Sequence, residues 1–132
     1  METTLENDPV HDRFNLLVNA PALFNAVATA AEIGIFSFLS DNPGSGFEDV
    51  RAKAGLPRHQ LRVLLQAVCS TGLLERAADG GYANSRTAQQ LLASDADDSW
   101  VHILIGWREV YYPAFAQMTA ALRAGTNTAL AA

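Results

Sequence analysis

Apolar residues recur at alternating steps of four and three along the first third of the chain, which is helical spacing. The positions in this stripe are Val10, Phe14, Leu17, Pro21, Phe24, Ala28, Ala31 and Ile35. Because proline removes a hydrogen bond inside a helix but suits its first turn, the pattern predicts two helices, over 10–19 and 21–33. Gly34 is the predicted stop. Residues 1–9 are expected to form a flexible tail.

Further apolar residues fall outside this stripe, among them Leu16, Leu23, Val27 and Ile33. A helix that is apolar on more than one face is either deeply buried or shared with another chain. In a chain of 132 residues we expect the second arrangement.

The pattern then changes to short elements between residues 47 and 92. Phe47–Ala54 is a predicted helix ended by Gly55. A second helix over 57–71 carries Leu61, Leu64, Leu65 and Val68 at core spacing. A strand at 73–76, a turn at Asp79-Gly80-Gly81 and a return strand from Tyr82 complete a hairpin. Ser85 caps a short helix running to about Leu92.

Two helices followed by a hairpin is the order of a winged helix-turn-helix. After a polar break at 94–99, a long helix is predicted over 100–123, kinked at Pro113 because proline cannot bond the Glu109 carbonyl. The predicted fold is mostly α: a winged-helix-like domain over 10–124 with a small β-hairpin wing and a long C-terminal helix. Residues 125–132 are read as the start of a linker.

A winged helix can bind DNA or serve as a structural module, and charge separates the two. The chain carries 14 acidic against nine basic residues, a formal net charge of −5, which disfavours phosphate binding. The exposed face of the 57–71 helix offers Arg58, His59 and Arg62, but the wing carries only Arg76 and Asp79 as charges. Nucleic acid is therefore not the expected partner, although a DNA-binding dimeric regulator stays an alternative.

Candidate chemistry is sparse. The three histidines are far apart, and neither a metal site nor a catalytic residue is predicted. Cys69, the only cysteine, is interpreted as a small buried hydrophobe, and a cytoplasmic location follows from this cysteine usage. The sequence contains no glycine-rich nucleotide-binding motif, so no cofactor site is expected in this chain. The apolar stretch Ala20–Leu39 contains Asn25, Glu32 and Gly34, and we expect no membrane span.

An aromatic stripe of Trp100, Trp107 and Tyr111 runs along the predicted C-terminal helix, with Tyr112 and Phe115 nearby. One interpretation is core packing or a dimer contact. The other is a wall of an apolar small-molecule pocket, for which His102 and Arg108 would supply polar groups beside Tyr112.

Three segments together resemble the N-terminal part of bacterial S-adenosylmethionine (SAM)-dependent small-molecule O-methyltransferases, including those of antibiotic pathways, which are similar to plant phenolic O-methyltransferases. The segments are PALFNAVATAAEIGIFSFL, LPRHQLRVLLQAVCSTGLLER and GWREVYYPAFAQMTAALRAGTN. This resemblance implies a module that interlocks two subunits and covers the substrate pocket of a separate Rossmann-like domain holding SAM and the catalytic base. By position it implies that Trp107, Tyr111 and Tyr112 face the pocket. By position it matches Phe14 and Leu17 to the N-terminal helix that approaches the partner subunit, and Phe24 and Val27 are further candidates for the homodimer interface.

The resulting expectation is the dimerisation and pocket-covering domain of a SAM-dependent O-methyltransferase that acts on a small aromatic or polyketide-type product. The isolated chain, a fragment or a free-standing homologue, should not transfer methyl groups. Besides the DNA-binding regulator, a free-standing ligand-binding or interaction module of the same fold stays open.

Overall fold

The computed structural model describes residues 7–93 and 99–125. It is mostly helical with one small antiparallel sheet, which confirms the predicted fold class. The elements are α1 (Pro9–Ile33), α2 (Ile35–Asp41), α3 (Phe47–Ala54), α4 (Arg58–Ser70), β1 (Leu74–Arg76), β2 (Tyr82–Asn84), α5 (Arg86–Leu91), α6 (Val101–Gly106), a π-helical turn (Trp107–Tyr111), α7 (Tyr112–Phe115) and α8 (Met118–Ala124). Most of the predicted tail and linker, and most of the 94–99 break, lie outside the described residues.

The prediction of two N-terminal helices is wrong, because α1 is continuous through Pro21. Asp8 caps its start, with Oδ1 accepting from the Val10 N–H at 3.0 Å. Pro21 removes the bond to the Leu17 carbonyl, but both residues are exposed, so water can replace that partner. The helix ends as predicted at Gly34, whose φ of 94° is the left-handed conformation that favours glycine.

The hydrophobic core lies between the C-terminal half of α1, helices α2 to α5 and the hairpin. Its largest fully buried side chains are Phe36, Ile35, Leu39, Leu61, Leu65, Val50 and Val68. Three of the four predicted core positions on α4 are buried, and Leu64 packs against the core in a partly buried position. A polar network crosses from α2 to α5, where the Gln89 amide donates to Ser40 Oγ at 2.7 Å.

The hairpin is held by its own ladder and by the loop before α3. Leu74 pairs with Asn84, and Arg76 with Tyr82. On the other edge of β2, the Gly44 N–H donates to the Tyr82 carbonyl and the Tyr82 N–H donates to the Ser45 carbonyl, both at 2.8 Å. The loop therefore pairs with β2 along the edge that β1 leaves open.

The predicted long helix over 100–123 is wrong as a single element. It is broken into α6, the π-helical turn, α7 and α8. The interruption starts before Pro113: the Tyr112 N–H reaches back five residues to the Trp107 carbonyl. This wider turn accommodates a proline that offers no donor to the preceding turn. A second break follows at Ala116 and Gln117.

Candidate functional site

The N-terminal half of α1 is apolar and uncovered. Its exposed apolar residues, all between 58% and 71% accessible, are Val10, Phe14, Leu16, Leu17 and Val18. The C-terminal half of the same helix is in the core, where Val27, Ala28, Ala30 and Ala31 are buried. Exposed apolar surface of this extent on one helix indicates a contact with another protein surface.

The length and composition of α1 also make it, in the described part of the chain, a helix that could cross a membrane. It has 25 residues and a mean hydropathy of 1.4 over its most apolar window. This is weak evidence, since core helices of soluble proteins pass the same test. The window is 22% buried, so the packing of the C-terminal half of α1 against α2 and α4 covers only part of its apolar surface.

The four residues assigned to the dimer interface occupy three environments. Phe14 and Leu17 lie on the exposed half of α1. Phe24 is partly buried beneath Tyr112, with ring centroids 4.5 Å apart in an edge-to-face arrangement. Val27 is only 8% exposed and belongs to the chain's own core. The residues available to another chain are thus the first two.

Two residues of the predicted aromatic stripe, Trp100 and Trp107, form a connected cluster with the nearby Tyr112 and Phe115. Trp100 and Trp107 meet at 5.9 Å, Trp107 and Tyr112 at 6.2 Å, and Tyr112 and Phe115 at 5.7 Å between ring centroids. We call these four residues with Phe24 the aromatic cluster. Such contacts stabilise beyond the area they bury. Trp107 of the predicted stripe therefore meets the neighbouring Tyr112, whereas Tyr111, the residue that the spacing placed on the stripe, is 56% exposed.

A groove of about 360 Å³ lies beside the aromatic cluster, between α1 and α7. We call it the apolar groove; it is lined by Leu17, Ala20, Pro21, Phe24, Asn25, Tyr112 and Phe115. Its polar groups are the Tyr112 hydroxyl and the Asn25 amide, which donates to the Pro21 carbonyl at 2.7 Å. Three lining residues, Ala20, Pro21 and Asn25, were not predicted. Their helical spacing from Leu17 and Phe24 indicates that they lie on the same face of α1.

Arg108 does not supply a polar group to the apolar groove. Its guanidinium donates to Glu32 near the end of α1, and to the Glu109 carboxylate at 3.0 Å. The hydrogen bond to Glu32 raises the pKa of Arg108 above its ordinary value. The side chain is 20% exposed, so this cation is committed to neighbouring carboxylates.

His102 also lies apart from Tyr112. It lines a different groove, of about 540 Å³, between the end of α1, α2 and α6, together with Glu32, Asp41 and Lys53. The structure therefore separates the three polar groups that the sequence placed in one pocket, and only Tyr112 lines the apolar groove.

The cations on α4, the basis of the DNA-binding alternative, have local partners. Arg58 is ion-paired with Glu48. Arg62 lies over the Phe47 ring, 4.6 Å from its centroid. In the hairpin, Arg76 of β1 lies over the Tyr82 ring, 5.1 Å from its centroid. Cations held this way gain less by moving to a phosphate, so nothing on this face favours DNA binding.

Metal and nucleophile chemistry find little support in the described ranges 7–93 and 99–125. They contain no group of three or more histidine, cysteine, aspartate or glutamate side chains that could hold a metal ion. Burial raises the pKa of the partly buried Cys69 thiol, and the charge of Arg76 lowers it by less. A raised pKa makes this thiol a poor nucleophile at neutral pH.

The comparison with protein families decides the identity of this fold. The model of the O-methyltransferase dimerisation domain matches residues 16–94. The chain belongs to this family. The match runs from the exposed part of α1 through α5, so these helices and the hairpin between them are those of an O-methyltransferase dimerisation domain.

Relatives of this dimerisation domain are methyltransferases of several kinds. N,N-dimethyltransferase OxyT of Streptomyces rimosus is 32% identical over 126 residues, 93% of this chain and 36% of OxyT. A human protein described as a probable bifunctional dTTP/UTP pyrophosphatase/methyltransferase is 28% identical over 119 residues, 90% of this chain and 19% of that protein. The domain thus spans between about a fifth and just over a third of these relatives.

Solved structures show the same fold. Human N-acetylserotonin methyltransferase, in complex with SAM, superposes with a TM-score of 0.78 at 22% identity, covering 93% of this chain and 36% of that one. LaPhzM gives a TM-score of 0.77 at 22% identity, covering 89% of this chain and 35% of that one. At these identities the likeness establishes the fold of the dimerisation domain.

Proposed function

We propose that this dimerisation domain joins two identical subunits of a SAM-dependent methyltransferase in the cytoplasm. The observation that carries the proposal is the uncovered apolar half of α1. Five exposed apolar residues within nine positions stabilise an isolated chain poorly, but they contribute favourably once a second copy covers them. Phe14 and Leu17 are the central contacts we propose.

We further propose that the C-terminal helices cover the substrate pocket of the methyltransferase, as the sequence resemblance implies. The apolar groove supports this, because no charged residue lines it and three rings of the aromatic cluster do: Phe24, Tyr112 and Phe115. A neutral aromatic or polyketide-type substrate suits such a wall. The OxyT relative is compatible with a role in antibiotic biosynthesis. Because OxyT is an N,N-dimethyltransferase, the assignment of oxygen as the acceptor rests on the family.

SAM itself does not fit the described residues of the apolar groove. The cofactor carries a sulfonium and a charged amino-acid group, and the groove offers one phenol and one amide that is already bonded. We therefore assign SAM and methyl transfer to a catalytic domain of the parent enzyme. Calorimetry with this chain should give no measurable SAM binding, and a saturable signal would contradict the assignment.

Light scattering tests the dimer. The wild-type chain should have twice the monomer mass, and a double substitution Phe14→Asp with Leu17→Asp should give the monomer, because it places charge in a contact that excludes water. Val63→Asp is the matched control: Val63 is 51% exposed on α4 and is not part of the proposed contact, so its variant should stay dimeric. A monomeric wild type, or a double variant that stays dimeric, would refute the proposed interface.

A further inference from the structure

The C-terminal segment from the π-helical turn to α8 contributes no residue to the hydrophobic core, unlike α6 before it, whose Val101 and Leu104 pack against that core. Among its described residues none is fully buried, and Trp107 and Tyr112 are 36% and 37% exposed. Leu122 near its end is 76% exposed. A segment without buried side chains has little hydrophobic stabilisation of its position, so individual polar contacts have an unusually large share in placing it.

Two contacts fix this segment on α1. The Tyr112 ring packs on Phe24, and the Arg108 guanidinium bonds Glu32, two turns further along α1. Arg108 and Tyr112 are four residues apart, about one helical turn, so both side chains can face α1. The segment and α1 run in opposite directions across these contacts: the later residue, Tyr112, meets the earlier Phe24, and the earlier Arg108 meets the later Glu32. The two contacts therefore set both the direction and the register of the packing.

We propose that Arg108 is a positioning residue, whose ion pair with Glu32 holds the aromatic cluster against α1 and thereby forms the apolar groove. Glu109 contributes a second carboxylate that keeps the guanidinium oriented, at 3.0 Å. The aromatic cluster supplies the rings, and the ion pair places them. The link to substrate rests on the proposed function, whereas the ion pair's effect on the cluster does not.

Tryptophan fluorescence tests this directly, because both tryptophans of the chain, Trp100 and Trp107, belong to the aromatic cluster. In Arg108→Gln the acrylamide quenching constant should rise about twofold, with a red shift of the emission, as indoles now 36–39% exposed move toward full exposure. Arg108→Lys keeps the charge and should show a smaller rise. Arg58→Gln removes a comparable ion pair, with Glu48, and should leave both signals unchanged.

A charge exchange separates the ion pair from a general loss of packing. Arg108→Glu should raise quenching further by placing a third carboxylate beside Glu32 and Glu109. Adding Glu32→Arg to that variant should restore the wild-type quenching. Unchanged quenching in Arg108→Gln, or no restoration by the exchange, would overturn the proposal. If Arg108→Gln loses helical content by circular dichroism, the exchange variant alone decides.

Failure of this inference can be distinguished from failure of the dimer. All samples are measured at a protein concentration where light scattering gives one common mass. A monomeric wild type refutes the proposed dimer and leaves the quenching comparison valid. A dimeric wild type with unaltered quenching in Arg108→Gln refutes the positioning role and leaves the dimer intact.

Discussion

The carbonyl oxygen of Gly44 occupies the space where a side chain at position 81 would begin. A Cβ built on Gly81 would be 2.5 Å from that oxygen and 3.1 Å from the Gly44 carbonyl carbon. Both are backbone atoms, so no flexible side chain can move aside. Gly81→Ala is therefore expected to force the loop before α3 away from the hairpin.

The size of the effect follows from the bonds in that region. Restoring an ordinary contact requires a displacement of about 0.9 Å. The same loop exchanges two backbone hydrogen bonds with Tyr82, both at 2.8 Å. Weakening two such bonds costs about 0.5–1 kcal/mol each, and the overpacking adds about 1–2 kcal/mol. We expect Gly81→Ala to lower the free energy of unfolding by about 2–4 kcal/mol.

Urea denaturation followed by circular dichroism measures this difference at one fixed protein concentration, because dimer formation would otherwise contribute. With a typical slope the midpoint should fall by about 1–2 M. Gly106→Ala is the control, since a Cβ at helical Gly106 meets nothing within 4 Å and should keep or slightly raise stability. A midpoint for Gly81→Ala within about 0.2 M of wild type would show that the loop does not pack as described.

Three further predictions concern other parts of the chain. Ser85→Ala should lower stability by about 1–2 kcal/mol in the same assay, because it leaves the buried Ala88 N–H, now bonded to Ser85 Oγ at 3.1 Å, without a partner; an equal midpoint would contradict this. The Leu17 side chain is 71% exposed, and Leu17→Ala should raise the dimer Kd, measured by sedimentation, about 30-fold. This value assumes that each of the two copies loses about 1 kcal/mol of apolar burial. An unchanged Kd would place Leu17 outside the interface. Cys69 should react with a thiol reagent more slowly in the folded than in the unfolded chain. Equal reaction rates in the folded and the unfolded chain would refute the burial of the thiol. Because folding raises the pKa of Cys69, the thiol's contribution to the free energy of unfolding is present below the ordinary pKa of 9.0 and is lost as the pH rises through the pKa of the folded state.

Local patterns predicted most of the elements. The helices at Phe47–Ala54 and Arg58–Ser70, the hairpin and the cap at Ser85 follow from apolar spacing and capping residues, which act between near neighbours. The two wrong helix predictions both concern the effect of a proline on a helix. Pro21 sits inside a continuous helix because its neighbourhood is exposed, and the segment around Pro113 bends through a π-helical turn instead of a simple kink.

The candidate site was predictable in its aromatic residues but not in its polar ones. Trp107 is on the predicted stripe and meets Tyr112, which the sequence placed beside that stripe, whereas Tyr111 of the stripe is exposed. Arg108 and His102 were grouped with them by proximity in sequence, yet one is bound to Glu32 and the other lines a separate groove. Charge partners 76 residues apart, as with Glu32 and Arg108, leave no periodic signal.

The sequence by itself determined the mostly helical fold, the family and the surplus of apolar surface on α1, because these depend on residue type and spacing along the chain. Only the tertiary structure decided which of that surface is already covered, burying Val27 and leaving Leu17 exposed. It also explains Gly81: the left-handed φ of 88° that the turn requires is at Gly80, whereas Gly81 has no room for a Cβ because of the Gly44 carbonyl, 37 residues earlier. Contacts of that kind depend on how elements pack in three dimensions, which no local pattern encodes.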